Sequence, residues 1–215
     1  MRRNCSLHVA LTAIVAILVL SSTSCNAVEG TPIATAEDST FSSTTSPIGP
    51  RQTDAKGRPL PFSTRFPQRW SKGNDGTSYE PCTAATSAIL VANGLDPSSA
   101  RDAAAADHQT ARGCNWSFVD RRLATLSQIV GNQPKLDVYK KNNSTSVAWM
   151  SDISAADRRV AVGVTPSISE CATFVQSGSA IVVTSAMFVH NPPPIAEICD
   201  KAIAFTRATI DQMPE

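Results

Sequence analysis

A chain of 215 residues, 42% hydrophobic and 17% charged, is long enough for one well-buried domain. Its 19 Lys and Arg against 18 Asp and Glu leave a formal charge of +1, and removal of Arg2 and Arg3 with a leader turns this to −1. That near-neutral balance argues against nucleic acid as a partner, because phosphate binding needs clustered Lys and Arg, and here the local basic pairs are isolated (Arg121-Arg122, Lys140-Lys141, Arg158-Arg159).

Residues 1–24 read as an export signal. Arg2 and Arg3 supply the positive start, and Leu7–Leu20 is an apolar run of 14 residues, shorter than the ~20 a spanning helix needs. Ser21, Ser22, Thr23 and Ser24 then lead to Cys25. Small residues before a cysteine resemble a bacterial lipobox, in which the cysteine carries lipid and becomes the mature N-terminus. Ser22 stands where the usual pattern has an aliphatic residue. A rival cut follows Ala27, at the end of Cys25-Asn26-Ala27, and would give a secreted protein; a retained membrane anchor is the third alternative. The expectation is lipidation at Cys25 and a location on the extracytoplasmic face of the cell membrane.

Residues 25–70 are rich in Ser, Thr and Pro and keep no sustained period of 2 or 3.6. Such a stretch buries too little apolar surface to offset its ordering entropy, so a flexible tether is expected. A coil of that length has ends roughly 35 Å apart. Its composition also suits attachment of sugar.

Residues 71–215 have the composition of one domain. A first helix is predicted over Pro81–Asn93, with Pro81 in its first turn and Gly94 after its end. An alanine-rich helix is predicted over Pro97–Asp107. Gly113–Val119 alternates Cys114, Trp116 and Phe118 with polar residues, the period of a half-buried strand. A further strand follows near Ala124–Val130, and 138–149 is ambiguous, a short helix being one reading. Arg158–Thr165 places Val160, Val162 and Val164 on one side of a strand. Glu170–Gln176 and Ser179–Met187 form a hairpin turning at Ser177-Gly178. After a proline run, Ile195, Ile198, Cys199, Ala202, Phe205, Thr209 and Met213 recur every three or four residues, one apolar stripe on a long closing helix. The fold class is therefore α+β: an antiparallel meander packed with an N-terminal and a long C-terminal helix.

Of six cysteines, Cys5 leaves with the signal and Cys25 is taken by lipid. Cys82, Cys114, Cys171 and Cys199 remain, an even number in an exported chain, which implies disulfides. Four cysteines allow three connectivities, and no CxxC suggests a redox or zinc motif. The predicted elements favour pairing neighbours: Cys82–Cys114 and Cys171–Cys199 would each staple a helix to the sheet.

A lipobox-like cysteine, a Ser/Thr/Pro tether, Glu80-Pro81-Cys82 heading a helix, Gly113-Cys114-Asn115-Trp116, two later cysteines and a closing Met213-Pro214 together resemble the actinobacterial exported lipoproteins of the DUF3558 domain family. The resemblance covers about Tyr79–Pro214 and implies a small envelope lipoprotein of mycobacteria and their relatives. It brings no activity and no catalytic residues. A weaker resemblance, to extracellular sensor domains of mycobacterial Ser/Thr kinases, suggests ligand sensing.

No G-x-S-x-G elbow, P-loop or HExxH occurs, and His108 and His190 stand alone in loops. No cofactor or metal is expected. Trp116 reads as a core residue, whereas Trp70 and Trp149 sit near predicted edges. The expected function is non-enzymatic binding of an envelope lipid, glycan or partner protein by a monomer held to the membrane through its N-terminal lipid. A sensor or adaptor is the alternative, and a hydrolase using His108 or His190 a more distant one.

Overall fold

The computed structural model describes residues 49–215 apart from 122 and 134. The leader, Cys25 and the first part of the expected tether lie outside the described residues.

Eight strands form one antiparallel sheet: β1 (Arg101–Asp102), β2 (Ala111–Ser117), β3 (Ala124–Asn132), β4 (Ala148–Trp149), β5 (Ile153–Ala155), β6 (Arg158–Thr165), β7 (Glu170–Ser177) and β8 (Ala180–Phe188). The spatial order is β1-β2-β3-β8-β7-β6-β4, with β5 also on β6. A β2–β3 hairpin and a β6–β7–β8 meander are thus joined through β3 and β8, which pair along nine positions. The predicted strands over 113–119, 124–130, 158–165, 170–176 and 179–187 correspond to β2, β3, β6, β7 and β8. Hydrophobic alternation locates them because each has one face in the core. The β7–β8 turn is Gly178-Ser179, since Ser177 pairs with Ala180. Gly178 has φ +57°, and a Cβ there would lie 2.5 Å from the Gly76 carbonyl oxygen.

Register separates the two faces. On the inner face, Trp116, Leu126, Ala186, Cys171 and Val164 form one row across the strands, and Cys114, Gln128, Thr184, Thr173 and Val162 the next. The long helix Ile195–Thr209 covers this face, as its apolar stripe predicts; Ile198, Cys199, Ala202 and Phe205 are buried, and only Ile195 of that stripe is exposed. Phe205 meets Trp116 with ring centroids 5.4 Å apart. Cys82–Cys114 ties the short helix α1 (Pro81–Ala84) to β2, and Cys171–Cys199 ties the long helix to β7, the expected pairing. Among the described residues the other α-helices are α2 (Ser87–Ala92) and α3 (Leu136–Asn142), which makes the long helix α4.

Three expectations are corrected. The predicted helix 81–93 is two pieces, because Ala85 leaves helical geometry and Thr86 caps α2 through its hydroxyl, which accepts from the Ile89 N–H. The predicted helix 97–107 is a single 3₁₀ turn, Pro97–Ser99, followed by β1. Alanine offers no apolar face to bury there, while Asp102 is drawn to Arg69 at 2.9 Å. Finally, the expected tether does not extend to residue 70. Asp54, Leu60, Thr64 and Arg69 are buried, and Thr53 bridges Pro59 across a tight loop. This segment is held mostly by ion pairs and hydrogen bonds to distant residues, which leave no apolar period in the sequence.

Candidate functional site

The outer face of the sheet is covered over only part of its area. At one end, α3 lies across β6–β8: Leu136 packs with Ala161, Phe174 and Ile181. Tyr139, Trp149 and Phe174 form an aromatic cluster with centroids 5.0–6.4 Å apart. Trp149 donates from Nε1 to the Lys140 carbonyl at 3.1 Å, and Lys140 and Arg159 both bind Asp152. Trp149, expected near an edge, is half-buried in this packing.

Beyond α3 the face opens into two clefts that share Ile129 and Val183, one of about 410 Å³ beside Tyr139 and one of about 270 Å³ further along. Register explains the second lining. Asn115, Ser127 and Ser185 stand in one row across β2, β3 and β8, and Thr125, Met187 and Glu170 in the next. Adjacent strands are ~4.8 Å apart and alternate residues ~7 Å along a strand, so the polar groups form a grid, interrupted by Met187, beside the apolar row Ile129 and Val183. All are half-buried. Ser185 donates to Glu170 Oε1. Among the described residues, the side chains of Asn115, Thr125 and Ser127 and the Tyr139 hydroxyl have no hydrogen-bond partner. The Tyr139 phenol is raised above its ordinary value, first by burial and then by the Glu170 carboxylate.

A second polar cluster lies under the N-terminal segment and is structural. Arg69 grips Glu80 with two bonds, at 2.8 and 3.1 Å, and binds Asp102 and the Gly113 carbonyl. Arg112 donates to Glu80 at 3.1 Å and to the Thr77 and Tyr79 carbonyls. The guanidinium groups of Arg51 and Arg112 lie over the Trp70 ring, at 4.4 and 3.8 Å from its centroid. Trp70 is therefore packed rather than free at an edge. Burial pulls Arg112 down to about 10, with Glu80 opposing that shift, so the side chain is charged at neutral pH.

His108 and His190 are exposed on separate loops, and neither side chain bonds a serine or carboxylate among the described residues. Trp116 is buried in the core as expected. The outer-face grid was not anticipated. Its signal is present as Asn115, Thr125, Ser127 and Ser185 at alternate strand positions, but only the β3–β8 register brings them together.

An eight-stranded antiparallel sheet with a long C-terminal helix on one face and two disulfides defines a stapled α+β domain. Over residues 20–212 the chain matches the family model described as protein of unknown function (DUF3558), and it belongs to that family. No curated protein and no solved structure matches it.

Proposed function

We propose that this chain is an exported envelope lipoprotein, anchored through Cys25 to the extracytoplasmic face of the membrane, that binds a ligand on its open sheet face rather than transforming one. The observation that carries the reading is the pair of buried disulfides, since such bridges persist in oxidising compartments beyond the cytoplasmic membrane. The leader pattern and the resemblance to actinobacterial lipoproteins support the anchor. The rigid, half-covered outer face, with polar groups awaiting partners, supports binding.

Metabolic labelling with a clickable fatty acid tests the anchor. Label is expected on the membrane-bound wild type and absent from Cys25→Ala. Unlabelled wild type in the medium, cut after Ala27, would replace the anchor by secretion.

An adaptor role has one observation in its favour. Val119, Leu123 and Val189 are exposed together at one end of the sheet, where the Val189 N–H donates to the Leu123 carbonyl at 3.2 Å. Site-specific crosslinking from Leu123 would capture a protein neighbour if that reading holds.

A further inference from the structure

We infer that the outer-face groove takes a carbohydrate chain laid across β2, β3 and β8; this rests on the reading of the protein as a ligand binder. Four features choose the chemistry. Asn115, Thr125, Ser127 and Tyr139 offer donors and acceptors that no described residue uses, so a ligand rich in hydroxyls satisfies them where an acyl chain would strand them. Neither cleft is lined by Lys or Arg, and the one charged side chain lining them is Glu170, which disfavours a phosphate, a nucleic acid or an anionic headgroup. An extended peptide needs free backbone groups at a sheet edge, and here β3 and β8 are paired on both sides while β1 covers β2 at Cys114 and Asn115. Ile129 and Val183 form an apolar row shared by the two clefts, against which the C–H face of a sugar ring packs, with Tyr139 as an aromatic wall.

The spacing fits as well. Strands ~4.8 Å apart place successive polar groups about one pyranose residue from each other along the row Asn115, Ser127, Ser185. Glu170 is the fixed acceptor of the site. Ser185 holds its Oε1, leaving Oε2 to accept from a sugar hydroxyl. Because the strands are joined by continuous ladders and stapled from behind, the grid is in place before a ligand arrives, which lowers the ordering cost of binding.

The test uses the exported protein with both disulfides formed, on an array of α- and β-linked hexose and pentose oligomers. Phospholipid vesicles of phosphatidylglycerol and phosphatidylethanolamine form a second arm. Binding to one or more oligomers is expected, weakened at least tenfold by Ser127→Leu, which fills the groove, and by Glu170→Gln. Arg207→Ala, on the exposed side of α4, should bind as wild type, and all three variants should keep the wild-type melting temperature. No oligosaccharide binding at millimolar concentration, binding that Ser127→Leu leaves intact, or binding to vesicles alone would overturn the inference. Binding in the vesicle arm alone would leave the protein a ligand binder and remove only the carbohydrate, whereas no binding in either arm would count against the binding reading as well.

Discussion

Glu80 is the shared anion of the buried charge cluster. It is buried between two guanidinium groups, and its Oε1 also accepts from the Cys82 N–H at the start of α1. Removing one member of a buried charge cluster leaves the others uncompensated, so Glu80→Gln should destabilise the domain by about 3–5 kcal/mol in urea unfolding. Asp54 gives a pH signature. Burial pushes its carboxyl up, but hydrogen bonds from Thr83, from both the backbone and side chain of Arg58, and from the Lys56 N–H together outweigh burial and bring it down to about 2. A depressed carboxylate contributes stability above its unfolded value and loses it as pH falls through the folded one. The wild type should therefore weaken between pH 3.8 and about 2 in a way that Asp54→Asn does not, as read by urea midpoints across that window. Glu80 was visible as the head of the first helix, but neither residue's partners were legible beforehand. Asp54 and Arg69 lie in a polar stretch whose partners, Thr83, Glu80 and Asp102, are set by tertiary contact, so the local composition resembled a tether.

At the scale of elements, strands were easier to read than helices. β6 was anticipated residue for residue because Val160 and Val162, at alternate positions, turn into the core on the inner face. The break at Ala85-Thr86 was missed because Ala84 and Ala85 favour helix and hide the interruption, which the capping hydroxyl of Thr86 decides. Pairing of β3 with β8 was illegible because the two strands lie some 55 residues apart in the chain, as Gln128 opposite Thr184 illustrates. Yet that pairing creates the polar grid. Gly113 is a further element-level constraint. A Cβ there would sit 2.0 Å from the Gln128 carbonyl oxygen and 2.7 Å from the Ile129 Cα, so β2 approaches β3 more closely than a side chain allows. Gly113→Ala should cost at least the upper end of the ~1–3 kcal/mol typical of overpacking, and should raise amide exchange selectively across β2 and β3. Equal protection in variant and wild type would contradict it.

For the whole molecule, two cross-links define how the layers are held. Cys82–Cys114 and Cys171–Cys199 close loops with sequence separations of 32 and 28. On the chain-entropy model each contributes roughly 3–4 kcal/mol, a large part of a stability of about 5–15 kcal/mol. Replacing Cys171 and Cys199 together by Ser should lower the unfolding free energy by that amount while α4, with Phe205 on Trp116, still packs on the inner face. The helix stripe and the count of four cysteines made this arrangement readable in advance. A buried polar seam under the same helix was not: Tyr79 donates to Gln128, whose amide donates to Thr184 and Thr209. Polar residues on an inward strand face run against the alternation that located the strands.

Both the proposed export and the disulfide pairing leave their mark on the cysteines of the native protein. Non-reducing peptide mapping of the native protein recovered from the cell envelope tests both most directly. It should yield Cys82 joined to Cys114, Cys171 joined to Cys199, and an N-terminal peptide beginning at a lipid-bearing Cys25. Recovery from the cytosol with the leader uncut and four titratable thiols, or a peptide joining Cys82 to Cys171, would contradict it.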